Sequence, residues 1–191
     1  MQSQKLTLGF AMCGSFCTLK SAVDVLKALC ENYNVIPIMS QVTFTTDTRF
    51  GKAADYIADI EAITGNKVIH TIFDAEPIGP KKIIDALIIA PCTGNTLAKL
   101  SYGITDTSVT MAAKAHLRNS RPLIIALATN DALSNSAKNI GALLNYKNIY
   151  FVPFSQDDSA AKPTSCIADF SLIEKTLVSA LDGKQIQPIL L

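Results

Sequence analysis

Hydroxyl and amide side chains follow several apolar runs of this sequence, where they could hold a ligand. Gly14 and Ser15 come directly after the first run and open a helical pattern, with Thr18 in its first turn. A glycine turn at a helix start exposes backbone N–H groups at the positive end of the helix dipole. Together with hydroxyl donors, such N–H groups suit a phosphate group. A plain turn followed by an N-cap is the alternative interpretation.

The segment with the most such groups begins at Pro91 and reads PCTGNT. Pro91 is expected to end a strand and Gly94 to loosen the following turn. Thr93, Asn95 and Thr96 then gather small hydrogen-bonding groups at a helix start. Such groups suit the polar edge of a planar ligand better than they suit acid–base chemistry. A capped turn without a ligand is the alternative.

Two other loops carry candidate ligand-binding groups. Residues 40–46, which begin with Ser40, are rich in hydroxyls and amides, and residues 128–131 follow another apolar run. Lys162 lies in a later loop and is a candidate for binding an anionic substrate group. A solvated, charged loop is the alternative for Lys162.

Residues typical of other chemistries are scarce. The two histidines, His70 and His116, are predicted to be structural or solvated. The five cysteines include no CxxC pair, so neither a zinc site nor a disulfide framework is expected. No GxSxG turn is present for a serine nucleophile, and no GxGxxG is present for a dinucleotide. Catalytic residues are therefore not identified, and in an enzyme a cofactor would carry the chemistry.

The elements that must position these groups alternate between strands and helices. This alternation predicts βαβ units and a mostly parallel sheet, in a doubly wound α/β fold of Rossmann-like or flavodoxin-like type with three layers. Ligands of such folds lie beyond the carboxyl ends of the strands. Strands are predicted at residues 6–12, 35–39, 68–73, 86–90, 123–127 and 149–152, helices at 18–31, 51–64, 96–102, 107–117, 134–144 and 170–181, and loops at 78–82 and 153–163.

The composition argues against nucleic acid and membrane as binding partners. The 191 residues carry a net charge of +1, and only 17% are charged, against roughly 25% in an average domain. A basic stripe for nucleic acid is not expected at this charge, and no apolar run reaches the ~20 residues of a membrane-spanning helix. We predict one domain, 1–191, with reduced thiols in the cytoplasm.

The PCTGNT segment, followed by Ala98 and Lys99, resembles the PASANT-type motif of the homo-oligomeric flavin-containing cysteine decarboxylase superfamily. This resemblance implies a Rossmann-like fold that binds flavin mononucleotide (FMN), commonly at the subunit interface of a trimer. The FMN-binding residues that it implies here are Gly14, Ser15, Ser40, Thr43, Pro91, Thr93, Asn95, Thr96 and Asn130.

The sequence departs from the decarboxylases at two places. They carry a catalytic histidine in the helical region after the second strand, where this sequence has none. Their later PxMN motif reads LATN at residues 127–130, which keeps only Asn130. Both departures disfavour decarboxylation of a cysteinyl substrate.

Over nearly its full length the sequence looks most like one branch of that superfamily, the B subunits of dipicolinate synthase from spore-forming bacteria. The resemblance rests on residues 9–18, 90–99, 152–158 and 162–165 together. It implies an oxidoreductase subunit that is active with a separate A subunit, which would bind NAD(P). The pair would oxidise dihydrodipicolinate, a small dicarboxylate, in the cytoplasm of the mother cell during sporulation, with Lys162 on a substrate carboxylate.

Two other functions remain open from the sequence. One is an independent FMN-dependent flavoenzyme, either a decarboxylase or a prenyltransferase-like enzyme. The other is a non-catalytic partner that keeps the fold and stabilises or tunes the A subunit.

Overall fold

The computed structural model describes residues 5–191, in which strands and helices alternate. The strands are β1 (Thr7–Met12), β2 (Asn34–Met39), β3 (Ala86–Cys92), β4 (Leu123–Thr129), β5 (Ile149–Phe151), β6 (Phe154–Gln156) and β7 (Cys166–Ala168). The α-helices are α1 (Phe16–Asn32), α2 (Gln41–Thr45), α3 (Ala53–Thr64), α4 (Ile72–Ala75), α5 (Gly94–Tyr102), α6 (Ser108–Leu117), α7 (Ala137–Leu144) and α8 (Ile173–Leu181). Two 3-10 turns, Glu76–Ile78 and Phe170–Leu172, precede longer elements.

The parallel part of the sheet has the order β2-β1-β3-β4-β5. β7 pairs antiparallel with the last two residues of β4, and β6 pairs with β7. This is the flavodoxin-like strand order, in which the direction of winding reverses between β1 and β3. The predicted doubly wound α/β fold with a mostly parallel sheet is confirmed.

The apolar composition of β3 and β4 explains why these two strands lie at the centre of the sheet. All seven residues of β3 and six of the seven in β4 are buried. A strand can be apolar on both faces only where helices cover both sides of the sheet. α1 supplies one cover, burying Leu19, Ala22, Leu26 and Leu29 at helical spacing. α6 packs against α4 and α5 in the second helical group.

The prediction of a strand at residues 68–73 is wrong. Only Ile69 joins the sheet, through a single bridge to Ile38 of β2. Thr71 then caps α4, because its hydroxyl accepts a hydrogen bond from the Asp74 backbone N–H at 3.1 Å. Phe73 is consequently 85% exposed instead of buried in a strand. The local capping signal thus ends the extended segment after one paired residue.

The region predicted as a loop at 153–163 contains an unpredicted strand, β6. Its three residues pair with β7, which itself joins the end of β4. Such short strands carry no periodic pattern of their own, and they form because distant segments complete their hydrogen bonds. The helix predicted at 134–144 begins only at Ala137, since residues 130–136 form turns.

Within residues 5–191, no helix is both long enough and apolar enough to cross a lipid bilayer. The same part of the chain brings together no three His, Cys, Asp or Glu side chains in an arrangement suited to a metal ion.

Candidate functional site

The loops after β1 and β3 meet because these two parallel strands are direct neighbours. The chain leaves β1 toward β2 on one side, and β3 lies on the other side of β1. A crevice opens at the carboxyl ends of strands where the winding reverses in this way. Gly14 and Thr93, which follow β1 and β3, therefore lie at the centre of the candidate site.

Two adjoining clefts occupy this edge of the sheet. The first, which we call the charged cleft, has a volume of about 460 Å³ and is lined by Gly14, Ser15, Thr93, Asn130 and Lys162 among the predicted site residues.

The second, the hydroxyl cleft, has a volume of about 360 Å³. It is lined by Gly14, Ser40, Thr93, Asn95 and Thr96. Gly14 and Thr93 belong to both clefts. Each volume falls in the range usual for small-molecule sites.

Two of the predicted site residues, Thr43 and Pro91, lie behind the walls of these clefts. Thr43 is only 1% exposed, and its hydroxyl lies 2.9 Å from the hydroxyl of Ser40, which caps α2. The Pro91 carbonyl accepts the backbone N–H of Cys13 at 3.2 Å. These two residues are placed to hold Ser40 and the β1 loop, and their contact with a ligand stays a prediction.

The N-terminus of α1 has the features expected of an anion site. Ser15 precedes the helix, but its side chain makes no capping hydrogen bond. The backbone N–H groups of Phe16 and Cys17 donate to no acceptor within residues 5–191. Thr18 donates instead to the Ser15 carbonyl and hydroxyl, at 2.9 and 3.0 Å. This end of the 17-residue helix therefore faces the charged cleft with unpaired donors.

The start of α5 is built differently. Thr93 caps it through a hydrogen bond from the Thr96 N–H at 3.5 Å, and Thr96 donates to the Cys13 sulfur at 3.2 Å. These contacts tie the turn after β3 to the loop after β1. β3 also runs through Pro91 to Cys92, so the prediction that Pro91 ends the strand is wrong.

Gly94 has a different role from the predicted loosening of the turn. A Cβ atom at Gly94 would lie 2.7 Å from each of three oxygens. These oxygens are Asp131 Oδ1, Ser136 Oγ and Thr129 Oγ1. Asp131 Oδ1 accepts hydrogen bonds from both hydroxyls. Gly94 is thus required for close packing of α5 against the loop after β4.

The charged cleft carries two cations and two carboxylates. Lys162 pairs with Asp157 at 3.2 Å. The Ser165 hydroxyl and the Lys162 ammonium lower the pKa of Asp157. Asp131 lines the same wall, and Arg49 comes from the connection between α2 and α3. Arg49 was not predicted from the sequence, because it lies three positions beyond the hydroxyl-rich segment 40–46 and belongs to no motif itself.

His70 reaches the segment after β2 only through the tertiary structure. Its ring stacks on Phe44 of α2, with centroids 3.7 Å apart and the planes within 2°. The expectation that the helical region after the second strand holds no histidine is wrong, because the strand predicted at 68–73 does not form and His70 lies between α3 and α4. The stacked, half-buried position is consistent with the structural role predicted for His70.

The buried thiols of Cys13 and Cys92 are not activated nucleophiles. Burial raises the pKa of Cys13 to about 11 despite its hydrogen bond from Thr96. Burial, and then the neighbouring Cys13, raise the pKa of Cys92 well above its ordinary value. A thiol that stays protonated at neutral pH reacts poorly.

We therefore expect Ellman's reagent to modify Cys17 first in the folded protein at pH 7. Cys17 is exposed, Cys30 is half-buried, and Cys13, Cys92 and Cys166 are buried. Cys30 should react more slowly than Cys17, and the buried thiols only as the protein unfolds. The Cys17→Ser variant should lose the fast phase and no other. Fast modification of Cys13 or Cys92 in that variant would contradict the buried placement.

Comparison with known proteins gives one family and several relatives. The model of the family described as Flavoprotein matches residues 1–179. The dipicolinate synthase B subunit of Bacillus subtilis (strain 168) is 42% identical over 184 residues, which cover 96% of this chain and 92% of that protein.

Solved structures show the same fold. The B subunit of dipicolinate synthase from Bacillus halodurans superposes with a TM-score of 0.90 at 39% identity, covering 100% of this chain and 98% of the other. A dodecameric FMN-dependent UbiX-like decarboxylase from Escherichia coli O157:H7 superposes with a TM-score of 0.62. At 24% identity, covering 78% of this chain and 80% of that one, this likeness concerns the fold alone.

Proposed function

The chain belongs to the flavoprotein family and is a homologue of the dipicolinate synthase B subunit, and on that premise we propose that it is the flavin-binding subunit of a dipicolinate synthase. With an A subunit that carries NAD(P), it oxidises dihydrodipicolinate to dipicolinate in the mother-cell cytoplasm during sporulation. The observation that carries this proposal is the meeting of the hydroxyl-bearing turns after β1, β2 and β3 at two adjoining clefts.

The residues at these clefts fit FMN. The open N-terminus of α1, with Gly14 and Ser15, offers N–H and hydroxyl donors to a phosphate. Ser40 and Thr96 line the adjoining hydroxyl cleft, where small donors and acceptors suit the polar edge of the flavin ring. Further contacts are proposed for Thr93 and Asn95 in this cleft and for Asn130 in the charged cleft, with Thr43 and Pro91 supporting the walls.

The residues of this chain are proposed to bind and orient the flavin and the substrate. When bound, flavin would supply the electron acceptor for the dihydropyridine ring. Lys162 lines the charged cleft and is proposed to bind a substrate carboxylate, since an ammonium donates charge-assisted hydrogen bonds to a carboxylate. The protonated thiols of Cys13 and Cys92 are unsuited to covalent catalysis. Formation of an aromatic ring favours the oxidation, so accurate positioning of the reactants is the main requirement.

A homo-oligomer based on trimers is part of the proposal. Phe73 and Tyr102 are 85% and 68% exposed, and the proposal places them in the interface between subunits. The fold neighbour described above as dodecameric supports assembly in this fold.

The test is the visible absorption spectrum of the purified protein, recorded with and without added FMN. We expect a bound flavin, which dihydrodipicolinate bleaches when the A subunit is present. Failure to take up any flavin would overturn the redox role and leave a non-catalytic partner of the A subunit. Turnover of a cysteinyl or prenyl substrate by this chain alone would instead identify an independent flavoenzyme.

The phosphate position is tested by the Ser15→Asp variant. Aspartate is a good N-cap and favours a helix N-terminus, so α1 should remain folded. Its carboxylate would repel a phosphate at the same position. We expect the affinity for FMN to fall at least tenfold, while the affinity for riboflavin, which has no phosphate, stays within twofold of wild type. Flavin fluorescence quenching measures both. Equal losses for the two flavins would place the phosphate elsewhere.

A further inference from the structure

A two-residue hairpin tip projects Arg49 and Phe50 at the charged cleft. Thr48 and Gly51 pair across the hairpin through two backbone hydrogen bonds of 3.0 and 3.1 Å. Arg49 and Phe50, at the tip, line the same cleft as Lys162. The two cations come from distant parts of the chain, Arg49 from the α2–α3 connection and Lys162 from the β6–β7 connection.

The tip is held by several specific contacts. The Phe50 N–H donates to the Thr48 hydroxyl at 3.1 Å, and the Tyr56 hydroxyl donates to the Phe50 carbonyl at 2.9 Å. Gly51 has a φ of +148°, and a Cβ atom there would lie 2.7 Å from the Tyr56 ring. The backbone is therefore closely packed at the base of the tip that carries Arg49 and Phe50.

Arg49 differs from the other cations of the two clefts. Lys99 is paired with Asp106 at 2.7 Å, and Lys162 with Asp157 at 3.2 Å. No carboxylate within residues 5–191 lies at ion-pairing distance from Arg49. The Arg49 guanidinium lies 4.9 Å from the centroid of the Phe50 ring. Asp131 shares the cleft, but its Oδ1 is already bonded to Thr129 and Ser136.

These contacts point to a ligand that is both anionic and flat. A guanidinium is a planar fork that matches the two oxygens of a carboxylate. Phe50 is 44% exposed and adds an aromatic surface beside that fork. A phosphate is the weaker candidate, because the α1 N-terminus already offers it donors and Phe50 would contribute nothing to it.

We propose that Arg49 and Phe50 form the recognition tip for a planar ring dicarboxylate, with Arg49 on one carboxylate and Lys162 on the other. The inference rests on the proposed function, since it concerns the substrate of the same site. It assigns the specificity for a second carboxylate to a residue outside every recognised motif of the chain.

The experiment measures binding of dipicolinate by titration calorimetry, using the full chain together with FMN and the A subunit. Arg49→Ala should weaken dipicolinate binding at least tenfold. Arg49→Lys should recover only part of the loss, because lysine lacks the planar guanidinium that can bind both oxygens of a carboxylate. Arg118→Ala is the matched control: Arg118 is exposed and lines neither cleft, so its removal should leave the affinity unchanged. The affinity for FMN should change less than twofold in all three variants.

Pyridine-2-carboxylate, which lacks the second carboxylate of dipicolinate, tests whether Arg49 recognises that second carboxylate. Wild type should bind dipicolinate more tightly than pyridine-2-carboxylate, and Arg49→Ala should reduce that preference. Unchanged dipicolinate binding in Arg49→Ala, alongside a loss in Lys162→Ala, would overturn the inference and leave the proposed function intact. A loss of FMN affinity in Arg49→Ala would assign Arg49 to the flavin phosphate and also overturn it. Arg49-dependent dipicolinate binding by a chain that takes up no flavin would support the inference and overturn the proposed function.

Discussion

We expect the Gly94→Ala variant to lose at least tenfold in FMN affinity and about 1–3 kcal/mol in free energy of unfolding. The added Cβ would lie 2.7 Å from Asp131 Oδ1, Ser136 Oγ and Thr129 Oγ1. These oxygens are hydrogen-bonded to one another, so none can retreat without breaking the cluster. α5 begins at Gly94, and its displacement would therefore shift Thr93, which lines both clefts, and Thr96, which lines the hydroxyl cleft.

Gly141→Ala is the matched control for this substitution. Gly141 lies inside α7, where an added Cβ meets no atom within 4 Å. Alanine is favoured over glycine in a helix interior, so this variant should gain about 0.5–1 kcal/mol. Chemical denaturation and flavin titration measure both variants. Lower stability of Gly94→Ala with unchanged FMN affinity would contradict the assignment of the α5 turn to the flavin site.

The second large effect concerns pH. His116 is fully buried, and burial lowers its pKa to about 4. Its Nε2 lies 3.0 Å from the Pro122 carbonyl, while its Nδ1 has no hydrogen-bond partner among the described residues. A proton on Nδ1 would place a charged donor in the core without an acceptor. The Pro122 carbonyl and Asp85 favour the charged form, and the neighbouring Arg121 opposes it, but burial outweighs them.

The unfolded chain therefore takes up this proton at higher pH than the folded one. Stability from His116 is fully present above pH 6.5 and is lost as the pH falls toward 4. We expect the free energy of unfolding to fall by roughly 3 kcal/mol over that range from this group. His116→Gln keeps a side-chain N–H for Pro122 without titrating, and should remove this part of the pH dependence.

Carboxylates also titrate at low pH, so the informative quantity is the difference between wild type and His116→Gln. His70→Gln is the control for replacing a histidine by glutamine, because it leaves His116 in place. Urea unfolding at pH 4, 5, 6 and 7 provides the measurement. Parallel pH profiles of wild type and His116→Gln would show that His116 does not titrate as a buried, neutral group.

Local patterns were enough to predict most of the fold. Apolar runs and helical spacing predict β1 to β5 and the long helices, because an element that is buried on one or both faces needs apolar residues at regular spacing. The positions after the strands follow from the rule that parallel strands place their carboxyl ends together. The family resemblance, carried by the PCTGNT segment and its neighbours, is confirmed by the match to the flavoprotein family.

Other features depend on contacts between distant residues. β7 forms because it pairs with both β4 and β6, and β6 forms because it pairs with β7. Residues 68–73 do not form the strand that their apolar composition predicts, because Thr71 caps α4 there.

At the site, residue types alone indicate which turns carry hydroxyls, amides and glycines. Three contacts follow only from the packing of distant segments: Gly94 faces the Asp131 cluster, His70 stacks on Phe44, and Arg49 and Lys162 share a cleft. Side-chain type and spacing are local properties of the chain. The direction in which a side chain points, and the residue it meets there, depend on how separate segments pack together.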